Sequence, residues 1–449
     1  MMSTNQKFSR RTFISSAAAM SVFTAVPRHV LGGTKHTPPS EKVNIAGIGV
    51  GGMGFNNLRQ LESQNIVALC DVDSGYAAKA FKHYPNARQY KDYRKMLEQQ
   101  NDIDAVVIAT PDHTHAVITM AAIRAGKHIY CQKPLAHNID EVRRLTQAAK
   151  ESNVVTQMGI QGHSDEGINR ICEWIWDGAI GPVSKVDAWC SLGYYPPGRA
   201  SWCTTHYDIP ADKPPVPDGL DWDLWLGPAP WRDYHPTYHP GRWRAWNSFG
   251  CGMMGDRGVH TLDSVFMALK LKQPEVISAT VSNANEQTHP FCSIVKFYFG
   301  ERQEMPPVEL TWYEGIEAPR PKELEEGRRL PEEGGVIFQG TKGYIICGVY
   351  GNSPRIFPEE KMRAYEQPAK TLRRIQGTHE QEWINAIKEG RKANACFEYA
   401  GPLTEFALLG NVAKRMQSKL FYDSDKMEFA NNSEATALLT KQYRQGWAL

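Results

Sequence analysis

Val43-Asn44-Ile45-Ala46-Gly47-Ile48-Gly49-Val50-Gly51-Gly52-Met53-Gly54 runs from an apolar, strand-like stretch into a glycine-rich turn, and a helical stretch follows it. That order of strand, turn and helix gives a loose glycine pattern a structural meaning. Glycine at positions 49 and 51 lets the backbone turn tightly and approach a pyrophosphate, and Gly54 lets helix and strand pack closely. The phosphates then rest at a helix N-terminus, near Gly52 and Met53, where free amides and a partial positive charge suit them. A register of Gly47-x-Gly49-x-x-Gly52 is the alternative; the start at Gly49 is preferred because it sets the turn after a full strand. The next strand ends at Asp71, 22 residues after Gly49, where an acid accepts hydrogen bonds from a ribose. A carboxylate there repels a 2′-phosphate, so NAD is favoured over NADP. Asp73 competes for that role but reads as a turn or helix-cap residue.

Outward from this turn, short apolar runs alternate with amphipathic stretches, the signature of a parallel sheet covered on both faces. Strands are expected over 43–47, 66–70, 105–109, 128–131 and 154–158, with helices over 76–83, 93–99, 116–125 and 139–151. Beyond about residue 160 the pattern changes. A helix is expected over 168–177 and a strand over 185–190, then a Pro- and Trp-rich insert over 192–249. Strands over 276–281, 293–299, 308–313, 336–339 and 343–347 predict an antiparallel sheet, and helices over 380–389, 403–416 and 433–444 close the chain. The fold class is α/β: a nucleotide domain over 42–160, then an α+β domain over 161–449 built on an open-faced, mainly antiparallel sheet.

At 449 residues the chain exceeds what one core usually serves. Hydrophobic content of 41% and charged content of 22% are those of a globular protein. The net charge is +2, but Lys7, Arg10, Arg11 and Arg28 fall in the first 33 residues, which hold no acid, so the remainder carries −2. That balance offers nothing to nucleic acid. The 9 cysteines include no CxxC pair and the histidines no ligand spacing, so neither a disulfide framework nor a catalytic metal is expected.

Ser9-Arg10-Arg11-Thr12-Phe13-Ile14, followed by an uncharged stretch to Val26, looks like a twin-arginine export signal over 1–33, with 34–41 as a linker. The apolar run is too short to span about 30 Å of hydrocarbon, so no stable membrane span is expected. A periplasmic or otherwise exported protein meets no pool of free dinucleotide. Its cofactor must be held tightly and returned to its starting state in each turnover.

Three further motifs carry chemistry: Ala109-Thr110-Pro111-Asp112-His113-Thr114-His115, Gln132-Lys133-Pro134-Leu135, and Asp256-Arg257-Gly258-Val259-His260-Thr261-Leu262-Asp263. Oxidising a secondary alcohol needs a group that takes the hydroxyl proton, and a histidine such as His260 suits that step. Asp256, four positions earlier, shares a helical face with it and can orient the imidazole or bind a sugar hydroxyl. Lys133, at the carboxyl end of a strand, points to the ligand crevice and can polarise the reacting oxygen.

With the glycine turn, these motifs resemble the glucose-fructose oxidoreductase, inositol dehydrogenase and MocA (Gfo/Idh/MocA) family over about residues 42–420. The resemblance implies a Rossmann domain with an open-faced sheet domain, and NAD(P)-dependent chemistry on sugars, polyols or related ring alcohols. It places Thr110, His115, Gln132 and Lys133 beside the dinucleotide. The family's usual Glu-Lys-Pro is here Gln132-Lys133-Pro134, which removes a charged partner of the lysine, and Asp112 stands where asparagine is common. Gln161 is expected near the nicotinamide and His163 near the substrate. Members of the family often assemble through the second-domain sheet, so a homo-oligomeric dimer or tetramer is expected.

Seven of the 12 tryptophans lie between Trp189 and Trp246, so the insert is a compact minicore or a stacking surface for sugar. Arg242, Trp243 and Asp263 are candidate substrate contacts, with Arg244 and His239 plausible beside them. The leading reading is an exported NAD-dependent oxidoreductase acting on a ring hydroxyl of a sugar or glycoside, with His260 as base and Lys133 as oxygen polariser. A redox-assisted glycosidase (oxidation, elimination, rereduction) and a catalytically inactive sugar-binding protein are the alternatives.

Overall fold

A computed structural model describes residues 41–449 except Glu323; the expected export signal over 1–33 and residues 34–40 of the expected linker lie outside the described residues. Six strands, β1 (Asn44–Ile48), β2 (Asn65–Cys70), β3 (Arg88–Tyr90), β4 (Ala105–Ile108), β5 (His128–Gln132) and β6 (Thr156–Gly159), form a parallel sheet in the order β3-β2-β1-β4-β5-β6. Between them run α1 (Met53–Gln60), α2 (Ala78–His83), α3 (Tyr93–Gln99), α4 (Asp112–Arg124) and α5 (Ile139–Glu151). β4 is buried at every position, as a central parallel strand must be. The strand order reverses between β1 and β4, and a ligand crevice opens at such a switch point. β3 was not anticipated, because Arg-Gln-Tyr has no apolar run and only edge pairing with β2 makes it a strand. α4 begins before its expected start, since Pro111 is extended and sets its entry, with Asp112 in the first turn.

The second part contains α6 (Glu166–Trp176), β7 (Val183–Cys190), α7 (Trp222–Leu226), α8 (Val259–Ala268), β8 (Val276–Val281), β9 (Ser293–Phe299), β10 (Val308–Glu314), β11 (Gly334–Gly340) and β12 (Gly343–Gly348). β13 (Arg355–Phe357), α9 (Glu359–Ala364), α10 (His379–Glu389), α11 (Phe397–Met416), β14 (Leu420–Asp423), β15 (Glu428–Phe429) and α12 (Ser433–Ala437) complete it. Nine of these strands form one sheet, β13-β12-β11-β7-β10-β9-β8-β14-β15. Its pairs are antiparallel except β7 with β10. α8 and α11 cover one face. Part of the other carries a small cluster of Trp189, Ala318, Leu324, Leu330, Ile337, Ile346 and Phe357, and the rest leaves Lys296 and Tyr298 exposed.

Two helices depart from expectation. α11 starts six residues early and runs through Pro402, because the burial of most of its length outweighs the one hydrogen bond a proline removes. The last helix stops at Ala437 rather than 444. Residues 438–449 instead spend their polar groups on other elements: the Leu439 carbonyl accepts from Asp140 N and the Pro228 carbonyl accepts from Arg444 N. Among the described residues no helix is long and apolar enough to cross a membrane, and all nine cysteines are unpaired.

The glycine turn is held by sterics. Gly49 has φ of +79°, and a Cβ there would lie 2.8 Å from the Ala109 carbonyl group and the Thr110 nitrogen. A Cβ on Gly54 would lie 2.0 Å from the Gly49 carbonyl oxygen, so α1 sits against the turn. Gly126 has φ of +67° with open space around it. Gly49→Ala is therefore expected to cost more than Gly126→Ala, which pays only the left-handed conformation, about 1–2 kcal/mol. Chemical unfolding of the two variants side by side checks the ranking; equal losses would remove the close-approach argument.

Candidate active site

One cleft runs along the carboxyl ends of the first sheet. It is lined by Gly49, Gly51, Gly52 and Met53 of the turn, by Asp71 and Val72 after β2, and by Thr110 and Asp112 after β4. Gln132 ends β5 and Lys133 follows it, and Trp243, Arg244 and Asp256 come from the second domain. The turn fits a dinucleotide on steric grounds: Gly49 and Gly54 leave no room for side chains, and Gly52, which caps α1, has no side chain to occupy the helix N-terminus.

Asp71 is buried, and its carboxylate accepts from Val50 N at 2.8 Å and Gly51 N at 3.2 Å, with Asp73 N on its other oxygen at 3.0 Å. Burial raises its pKa to about 6, and these backbone donors only partly oppose the rise. Asp73 instead accepts from Gly75 N and Tyr76 N in a turn and from His239 Nε2 at 2.7 Å. The tip of β2 thus offers one acid, Asp71, to the crevice.

At the other end of the cleft Lys133 Nζ donates to Asp256 Oδ1. Tyr194 Oη donates to Asp256 Oδ2 at 3.2 Å, and Arg244 Nε lies 3.9 Å from the same oxygen. Although burial opposes ionisation, Lys133 and then Arg244 hold the Asp256 carboxyl well below the usual range. Asp256 sits on a π-helical turn, Met254–Gly258, that leads into α8 and His260; such turns recur at functional sites. His260 does not itself line the cleft: it is buried with no partner for Nδ1, and its ring packs edge-on to Tyr350 at 4.9 Å. Burial, then the charge on Lys133, pushes its pKa well down, with Asp256 opposing in part. The result is a neutral imidazole in the same small electrostatic field as an ionised Lys133/Asp256 pair.

Several expected contacts lie elsewhere. His115 does not line the cleft: Nδ1 bonds the Pro134 carbonyl at 2.7 Å and Nε2 the Thr110 carbonyl at 2.8 Å, so it ties the two motif loops together from behind. Gln161 is absent from the cleft lining and donates to Tyr130 Oη. His163 and Asp263 bond each other at 3.0 Å, and Tyr399 Oη donates to Asp263, so this pair forms a buried cluster apart from the cleft. Arg242 is exposed, whereas Arg244, two residues on along the same short helix, faces the cleft with Trp243. Gln132 donates to Asn57 at 2.9 Å, and Asn57 to the carboxyl group of Glu380, so an amide stands where the family pattern carries an acid and the nearest acid of its network comes from α10.

Sequence reasoning missed Tyr194, Tyr76, Tyr93, Leu224 and Trp447, the last four of which line the cleft. None belongs to a motif; only folding brings them there. Most of the insert is a minicore: Trp222 and Trp225 stack at 4.6 Å, and Tyr238, Trp246 and Phe249 pack edge-to-face around them. Among the described residues no group of three or more His, Cys, Asp or Glu could hold a metal.

Residues 43–160 match the Gfo/Idh/MocA family model described as an oxidoreductase family with an NAD-binding Rossmann fold. Residues 199–299 match that family's C-terminal alpha/beta domain model. An inositol 2-dehydrogenase of Salmonella paratyphi B is 31% identical over 151 residues, covering 32% of this chain and 44% of its own length. A levoglucosan dehydrogenase of Pseudarthrobacter phenanthrenivorans is 33% identical over 115 residues, covering 26% of this chain and 29% of its own. The chain thus matches less than half the length of these curated relatives. A levoglucosan dehydrogenase solved with NADH superposes with a TM-score of 0.58 at 17% identity over 85% of this chain and 99% of that one. The WlbA dehydrogenase of Bordetella pertussis, solved with NADH and UDP-GlcNAcA, gives 0.60 at 16% identity over 85% and 99%. These two show the shared fold.

Asp71 sets a pH dependence. Ribose hydroxyls donate to the ionised carboxylate, and the free protein holds its proton up to about pH 6. NAD affinity is therefore expected to rise with pH up to about 6 and to level off above it, with a proton released on binding below that point. Calorimetric titration of wild type and Asp71→Asn between pH 5 and 8 checks this; a step retained in the variant would assign it to another group.

Proposed function

We propose that this chain, whose two matched segments belong to the Gfo/Idh/MocA oxidoreductase family, is an exported NAD-dependent dehydrogenase acting on a ring hydroxyl of a sugar or glycoside. The observation that carries the reading is the Lys133/Asp256 pair lining the end of the cofactor cleft, with His260 buried behind it within reach of both charges. Bound NAD supplies the hydride acceptor. His260 takes the proton of the reacting hydroxyl. Nδ1 is enclosed without a partner, so Nε2 is the nitrogen left for that proton. The ammonium of Lys133 stabilises the developing alkoxide, and Asp256 keeps that ammonium in place with help from Tyr194 and Arg244. Trp243 and Arg244 form the wall that meets the sugar.

Export explains the demand for retention. The Ser9 to Val26 segment carries the twin-arginine pattern, and an exported enzyme works on one tightly held dinucleotide. A carbonyl compound reduced in the same cleft serves as second substrate. Assembly as a dimer or tetramer, through the part of the second sheet that leaves Lys296 and Tyr298 exposed, belongs to this reading.

Incubating the protein with an aryl glycoside, while following absorbance at the NADH band and aglycone together, tests the proposal. A lasting NADH signal without aglycone is the expected result. Aglycone without net NADH would convert the reading to a redox-assisted glycosidase, and neither signal would point to a binding protein. His260→Ala is expected to lower turnover about 10²–10⁴-fold while NAD binding, measured by fluorescence, stays intact. Near-normal turnover in that variant would reject His260 as the base.

A further inference from the structure

We infer that residues 438–449 form a latch across the adenine end of the dinucleotide cleft, with Trp447 as the side chain that covers the cofactor and Arg444 as the anchor that holds it shut. The inference rests on the dinucleotide reading and adds a retention device that no motif announces. The glycine turn fixes the pyrophosphate, and Lys133 and Asp256 mark the reacting end, so the arm of the cleft beyond Asp71 is the adenine arm. Val72, Asp92, Tyr93, Leu224 and Trp447 line it.

The indole is held from two sides. The Arg94 guanidinium lies 4.7 Å from its ring and the Tyr93 ring is 6.5 Å away, tilted by 39°. Arg94 is itself pinned by Asp92 at 2.8 Å. The chain turns back at Gly446, φ +87°, where Trp447 N donates to the Arg444 carbonyl. Arg444 grips the insert: its Nε donates to the Gly227 carbonyl at 3.0 Å, a terminal nitrogen to the Asp223 carbonyl at 2.9 Å, and its own amide to the Pro228 carbonyl.

The two parts of the roof differ in how they are attached. The insert is tied to the loop after β2 by backbone bonds, Asp221 N to the Val72 carbonyl at 2.8 Å and Ser74 N to the Gly219 carbonyl at 3.2 Å. Between its fixed ends the latch is held over the cleft through the single residue Arg444 and its bonds to Gly227, Asp223 and Pro228. Farther back, Tyr443 Oη donates to Glu141 at 2.7 Å and Lys441 Nζ lies 2.8 Å from the same carboxylate. The last residue is tied down as well, the Leu449 carbonyl accepting from Arg144 at 3.1 Å, so residues 444–447 form a loop between two anchors on α5 that can lift when Arg444 lets go while both anchors stay. The cofactor then exchanges only when the latch opens, and its release is slow.

The experiment starts from protein loaded with NADH and dilutes it into excess NAD, following loss of NADH fluorescence and of energy transfer from tryptophan. Trp447→Ala and Arg444→Ala are each expected to speed release about tenfold, the scale of one aromatic contact to a base. In a second measurement on wild type, backbone amides of 438–449 are expected to exchange more slowly with deuterium when NADH is bound. Release at the wild-type rate in both variants, or exchange unchanged by NADH, would overturn the latch. Failure of wild type to bind NADH at all would instead overturn the cofactor reading on which it rests, so the two failures are told apart.

Discussion

The ion pair between Lys133 and Asp256 is the constraint on which the rest of the site depends. It joins the end of β5 in the first sheet to the π-turn before α8 in the second domain, with both side chains largely withdrawn from water. A buried charge stripped of its partner is strongly destabilising, so each domain fixes the other's charged group. Burial first, and the Lys133 ammonium second, set the state of His260. An imidazole near a fixed ammonium and out of water stays neutral, and a neutral imidazole is what proton abstraction requires.

Around that pair the motif loops brace one another. Asp112, at the start of α4, accepts from Cys251 N at 2.9 Å and so holds the chain just ahead of the π-turn. His115 spans the loops after β4 and β5 through two carbonyl bonds. Burial opposes its charge, but Cys131, Asp112 and the Pro134 carbonyl outweigh this and lift its pKa to about 9, so it can donate from both nitrogens. Behind them Lys414 and Glu314, both buried, pair at 2.8 Å and lock α11 to β10. The reacting groups therefore stand on elements fixed from several directions, the preorganisation that electrostatic catalysis needs.

What the sequence displayed and what it hid divide along a physical line. Apolar runs and glycine turns are local, so β1, β2, β4 and β5 and the turn at Gly49 were legible, and of the motif residues Lys133 and Asp256 do meet in the cleft. Side-chain direction is not local. His115 lies three positions after Asp112 on α4, yet Asp112 reaches the cleft and His115 turns to carbonyls behind it. Gln161 and His163 sit on a short 3-10 turn whose orientation comes from packing on Tyr130 and Tyr399. Strands such as β3 and β15 carry too few apolar residues to announce themselves and exist because a neighbour pairs with them.

Residues 438–449 are the sharpest case of that divide. By propensity they extend the helix of α12, and a helix would satisfy their backbone groups within the segment. The chain instead gives the Leu439 carbonyl to Asp140 N and the Arg444 amide to the Pro228 carbonyl, partners far apart in sequence. A segment abandons its local hydrogen bonds only when distant partners replace them and the buried ends, Leu439 and Leu449, add apolar contact. Pro228 and its neighbour Gly227 belong to the insert, next to the Trp222/Trp225 stack of its minicore. The concentration of tryptophan that suggested a sugar platform thus serves first to build a rigid roof over the nucleotide cleft, from which Trp243, Arg244 and Tyr194 turn toward the end marked by Asp256.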